Sequence, residues 1–185
     1  MTRMTRNLDY KREIKGEKVR IDGYCPSCGG DVVITATGYA CVNCDFFIRG
    51  VIGDRRIRQQ EAEDFLQGKN IPIDGFYRFD KEVTFPSFLR FSKEKGVFLD
   101  SRVGKCPRCG GTVRIGKKAF NCENFSKGCK FYVYRNISGH EISYEEISQL
   151  LSYGKTSKPV TLFDSDGNTS LKRIAINKKK NISFL

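Results

Sequence analysis

Apolar residues in this chain come in short runs, and the runs follow one order twice. Residues 31–36 and 112–116 are rich in β-formers. Tyr39-Ala40-Cys41 and Phe120-Asn121-Cys122 come next, then 46–49 and 131–135. Each trio predicts three short antiparallel strands. Period-2 alternation in the last strand has a consequence. With Phe131 and Val133 facing a core, Tyr132 and Tyr134 face the other way. A helix follows each trio. In the second half Ser143-Tyr144-Glu145-Glu146 is a capping box, Ile147, Leu150 and Leu151 form the apolar stripe, and Gly154 is placed to stop it. In the first half 61–66 is the counterpart, with Ala62, Phe65 and Leu66 apolar and Gly68 as the stop. Its start is weaker, because Arg58 occupies the cap position. Three more strands are predicted in each half, at 75–79, 85–91 and 97–99, then 161–163, 171–176 and 182–184, with hairpin turns at 93–96 and 177–180. Residues 1–22 have few apolar positions and read as a basic arm or linker ending in a short strand at 19–21.

The two halves align residue by residue. Cys25, Cys28 and Cys41 match Cys106, Cys109 and Cys122 at one offset, and a four-residue insertion then shifts the match, so that Cys44 meets Cys129, Ile52 meets Ile137 and Glu61 meets Glu146. The alignment predicts a tandem duplication, with units at 23–103 and 104–185 after the arm at 1–22. The fold class expected is α+β: two modules, each a three-stranded ribbon followed by one helix and a β-meander.

The cysteines change this picture most. All eight fall in two runs, Cys25-x2-Cys28-x12-Cys41-x2-Cys44 and Cys106-x2-Cys109-x12-Cys122-x6-Cys129, and none is left over. Paired short spacings of this kind point to two closed four-thiolate cages, each for one structural Zn2+. Disulfides, or redox and iron–sulfur chemistry, are the alternatives. Against disulfides, the first residues lead into no apolar signal region, and no stretch is long and apolar enough to span a membrane. The expectation is therefore a cytoplasmic protein, nucleoid-associated in a bacterium. A single redox Cys-x-x-Cys normally stands near a βαβ pattern. A closed site leaves the metal no open position for catalysis, and in small modules its binding contributes about 10–16 kcal/mol to folding.

Charge points to a partner. The 185 residues carry 33 Lys+Arg against 21 Asp+Glu, a formal +12. Eight thiolates on two Zn2+ would bring this to 12 − 8 + 4 = +8. Residues 23–103 hold eleven cations and eleven anions, whereas 104–185 hold fifteen and six. A basic surface suits a polyanion, and it also suits simple solvation. The exposed side predicted for Tyr132 and Tyr134, with Lys117, Lys118, Lys130 and Arg135 close by, is what sequence-tolerant binding of single strands needs: bases stack and phosphates pair. The same tyrosines could instead cap the ribbon against the helix.

No catalytic set emerges. The one histidine, His140, lies in a turn with no nucleophile to serve. Asp164-Ser165-Asp166-Gly167-Asn168 begins like a calcium loop, but its twelfth position is Ala175 instead of Glu. Gly154-Lys155-Thr156 follows a helix where a phosphate loop would precede one. The expectation is a protein that is not an enzyme.

Cys106-Pro107-Arg108-Cys109-Gly110-Gly111, Gly128-Cys129-Lys130-Phe131, Glu145-Glu146 and Gly154-Lys155-Thr156, with the weaker echo in the first half, resemble the C-terminal repeats of type IA DNA topoisomerases over residues 23–185. In that family such repeats follow the catalytic core, bind single-stranded DNA and can dock other proteins. The resemblance implies the same here without the core, since no acidic Toprim-like cluster or cleavage domain is present. The first half departs further, with Lys69-Asn70-Ile71 where the second has Lys155-Thr156. The functional expectation is a zinc protein binding single-stranded DNA. The alternative is an adaptor docking a polymerase, topoisomerase or other replication or transcription partner through Phe47 or the 76–91 meander.

Overall fold

The computed structural model describes residues 19–185, so most of the predicted arm lies outside the described residues. The chain divides between Asp100 and Ser101 into two compact units. Among the described residues the units contain mainly small antiparallel sheets and two α-helices, the α+β fold of tandem zinc-ribbon modules.

The first unit opens with a four-stranded ribbon in sequential order: β1 (Arg20–Tyr24), β2 (Asp31–Thr35), β3 (Gly38–Cys41) and β4 (Phe47–Arg49). A small hairpin of β5 (Val51–Ile52) and β6 (Arg55–Arg56) leads to the helix Gln59–Leu66. The meander is β7 (Ile73–Arg78), β8 (Val83–Ser92) and β9 (Gly96–Asp100). β8 is long enough to pair with β7 through its first half and with β9 through its second. Ile21, Val32, Tyr39, Ile48, Ala62, Phe76 and Leu89 form one core joining ribbon, helix and meander.

The second unit repeats the order with β10 (Arg102–Lys105), β11 (Thr112–Ile115), β12 (Ala119–Cys122) and β13 (Tyr132–Tyr134) as the ribbon. The hairpin is β14 (Asn136–Ile137) and β15 (His140–Glu141), and the helix is Tyr144–Tyr153. The predicted strand at 171–176 breaks at Arg173. The meander therefore becomes two hairpins, β16 (Val160–Phe163) with β17 (Thr169–Lys172), and β18 (Ile174–Ile176) with β19 (Ile182–Phe184).

Each ribbon has one strand more than expected, because β1 and β10 precede the first cysteine and pair with the next strand. The helix packs back on this added strand. Gly23 lies at φ +102°, and a Cβ there would meet the Leu66 Cβ at 2.6 Å. The matching Gly104 faces Leu151, whose terminal methyl would be 2.9 Å away. Glycine is thus the contact that lets helix and ribbon close.

Helix starts differ as the caps predict. Ser143 accepts from the Glu146 N–H at 3.1 Å, and Glu146 accepts from the Ser143 N–H at 2.8 Å. A guanidinium accepts nothing, so Arg58 keeps only the return half: Glu61 accepts from its N–H at 2.9 Å. Glu61 is also gripped by Arg55 through two bonds of 2.6 and 2.8 Å. Burial alone would raise the Glu61 pKa, but Arg55 and Arg58 hold it at about 2. In the second unit His140 Nε2 stands 3.0 Å from both Glu146 oxygens. The lone histidine therefore fastens the β14–β15 hairpin to the helix start, the position of Arg55.

Gly154-Lys155-Thr156 also has a structural place. Thr156 is buried, donates its hydroxyl to the Lys158 carbonyl and accepts from the Ile174 N–H, while Lys155 bridges to Ala175. Gly23→Ala should destabilise the chain by about 1–3 kcal/mol through overpacking and left-handed strain. Gly104→Ala should cost less, since only a flexible leucine end must move. Urea unfolding of the metal-loaded chain followed by circular dichroism checks this, and a Gly23→Ala protein as stable as the wild type would refute it.

Candidate metal centres and the face of the second ribbon

In both units the first knuckle folds by the same bonds. The Cys25 N–H donates to the Gly30 carbonyl at 2.9 Å and the Gly29 N–H to the Cys25 carbonyl at 2.8 Å. The Cys106 knuckle repeats these at 2.6 and 2.9 Å. Backbone N–H groups then point at sulfur: Ser27 at Cys25 (3.4 Å), Asn43 at Cys41 (3.3 Å) and Asn124 at Cys122 (3.4 Å). Such donors favour the thiolate form.

The four sulfurs of each set lie within 4.8 Å of one another. Sγ separations are 3.5 Å for Cys25–Cys44 and Cys28–Cys41, 3.7 Å for Cys106–Cys129 and 3.4 Å for Cys109–Cys122. A bonded pair would stand at about 2.05 Å, and all eight cysteines are free. A tetrahedron with metal–sulfur bonds of about 2.3 Å needs edges of about 3.8 Å, so each set fits one metal ion. Electrostatics within a set are uneven. Burial pushes the Cys25 and Cys122 thiols up to about 12. The Asn124 amide and the Gly111 N–H hold Cys109 at about 6. The four extra residues of the last knuckle make a 3-10 turn at Phe125–Lys127, closed by Gly128.

The predicted binding residues divide along β13. Phe131 and Val133 are buried, while Tyr132 is 44% and Tyr134 53% exposed. The tyrosine rings meet edge to face with centroids 5.1 Å apart. Lys117 and Lys118 are exposed in the β11–β12 turn at one end. Arg135 joins them there, half-buried, with its guanidinium 3.5 Å from the Lys117 carbonyl. Lys130 stands at the opposite end, beside the knuckle, its ammonium 4.7 Å from the Phe125 ring centre.

Register adds residues that sequence reasoning missed. Arg102 pairs with Arg114, Arg114 with Asn121, and Asn121 with Tyr132. Residues directly opposite in antiparallel strands share a face, so these four form one row across the sheet beside Tyr134. Alternation around buried Val113 would have placed Arg114 outward; aligning it with Tyr132 needs the strand pairing.

The fold and both cysteine sets define a zinc-ribbon class of protein. Over 144 residues, 72% of this chain, the sequence is 28% identical to DNA topoisomerase 1 of Bacillus anthracis. The chain spans 17% of that relative's length. No family model and no solved structure matches the chain. The likeness and the two four-cysteine clusters fit the zinc-ribbon region of topoisomerase I.

Elemental analysis should find two metal ions per chain, and Cys109→Ser should leave one while loosening only the second unit. Thiols at about 12 carry protons at pH 7 without metal, so binding expels protons and weakens as pH falls. Acidification should therefore release both ions. Less than one ion per chain together with disulfides would refute the assignment.

Proposed function

We propose that the chain is a non-catalytic module of two tandem topoisomerase-type zinc repeats, acting in the cytoplasm, whose second unit binds single-stranded DNA. Zinc is the ion the donor set favours: four soft thiolates in a closed tetrahedron, with no position left for substrate. One observation carries the nucleic-acid reading. Two exposed tyrosines stand side by side on the edge strand β13, with cations at both ends and Arg114, ion-paired with Glu123, in the same row. Bases stack on the rings, and Lys117, Lys118, Lys130 and Arg135 take the phosphates. The likeness to a DNA topoisomerase supports the same partner.

A protein-docking reading attaches to the first unit. Of the expected contacts, Phe76 and Phe88 of the meander are buried in the core, whereas Phe79 is exposed and Phe47 half-buried. A cleft of about 310 Å3 between helix and meander, lined in part by Phe65, Ile71, Ile73 and Leu89, adds support for that reading.

A stacked base is worth about 1–3 kcal/mol, so Tyr132→Ala should weaken oligonucleotide binding about five- to a hundredfold with little change in salt dependence. Lys118→Ala should lower the salt slope by about 0.7. Both proteins must retain two metal ions. Unchanged affinity in Tyr132→Ala would refute the stacking platform. No binding of single strands, with a protein partner retained at high salt, would favour the adaptor.

A further inference from the structure

Over the second metal centre lies a shallow concavity of about 540 Å3, opening on Cys109 and lined by Arg108, Lys127 and Lys130. Arg108 is fixed from far along the chain. Its Nη2 donates to the Lys179 carbonyl at 3.1 Å and to Asn181 Oδ1 at 2.8 Å. This contact draws the turn between β18 and β19, with Lys178, Lys179 and Lys180, against the first knuckle. Lys130 is steadied over Phe125. Among the described residues none of these six cations forms an ion pair.

One explanation is local. Four thiolates on one divalent ion leave a charge of −2, and nearby cations would balance it. The first centre would carry the same −2, and it lacks these cations. Ser27 stands where the second unit has Arg108, and Asp45 where it has Lys130. Its shorter knuckle has no equivalent of Lys127, and its turn reads Lys93-Glu94-Lys95. Balancing the cage therefore does not require the cluster.

We propose that this concavity binds the phosphodiester backbone of the strand whose bases stack on Tyr132 and Tyr134, an inference that rests on the reading above. The placement is favourable. Lys130 lies two residues before Tyr132, in the segment that leads from the knuckle into β13, so a bound chain running along β13 leaves the tyrosines at the knuckle and enters the concavity. The opening is shallow and multiply cationic, which suits a continuous polyanion crossing it.

The test uses the full metal-loaded chain, a single-stranded oligonucleotide, and an abasic strand of equal length that keeps the phosphates without the bases. Arg108→Ser combined with Lys127→Ser makes the site resemble the first unit. The double variant should lower the salt slope by about 1.4, two phosphates at about 0.7 each. It should weaken the normal and abasic strands by the same factor, whereas Tyr132→Ala should weaken only the normal strand. If the wild type binds both strands and the double variant binds them equally well with an unchanged slope, the concavity is overturned and the stacking reading survives. If the double variant holds fewer than two metal ions, the cations serve the cage and the proposal fails. If the wild type binds neither strand, both readings fall together.

Discussion

Four sulfurs converging within 4.8 Å are the constraint on which each unit rests. Thiolates at that spacing repel, and burial already pushes two of the eight thiols up to about 12. Only a shared cation makes four of them compatible. The ribbons need that clamp because their strands are three to five residues long and their knuckles are almost wholly turn. Once the knuckles are fixed, β2 and β3, or β11 and β12, are held in register, and one face is offered to the helix.

Much of this was legible in the chain itself, because cysteine spacing and period-2 alternation are local signals. The outward turn of Tyr132 and Tyr134 followed from buried Phe131 and Val133 alone. What escaped was non-local. A short strand is expected at 19–21, but its extension through Asp22-Gly23-Tyr24 and its pairing into the ribbon as β1 show only once Leu66 is seen packed on Gly23. Likewise Arg108 meets the β18–β19 turn more than seventy residues away, a contact no spacing rule announces.

The units solve one fastening problem with different chemistry. Arg55 grips Glu61 through a permanent charge, and both side chains are mostly buried. His140 makes the same contact with Glu146, but an imidazole is a cation only when protonated. The exit from the helix diverges too. Thr156 ties the second helix to β18 through a buried hydroxyl, whereas in the first unit Asn70 receives a 2.7 Å bond from Arg90 on β8. Each substitution keeps the joint while altering the group that makes it, which is how two such units retain one architecture with little identity between them.

The ribbon faces diverge more sharply than the joints. In the second unit the outer row reads Arg114–Asn121–Tyr132; the paired positions of the first read Val33–Ala40–Phe47. Val33 and Ala40 are buried, so this face does not offer the first unit a polar, stacking surface. The knuckle beside it carries Asp45 in place of Lys130. Backbone geometry is shared, yet Lys117, Lys118, Lys130 and Arg135 give way to Ala36, Thr37, Asp45 and Gly50, while Phe47 and Arg49 at the positions of Tyr132 and Tyr134 keep an aromatic ring and add a cation. A purely structural role for both ribbons would not by itself predict the loss of all four cations, because the cages they support are alike. The difference between the two ribbon faces is therefore one of cations beside the rings, with an aromatic residue kept at the Tyr132 position in both.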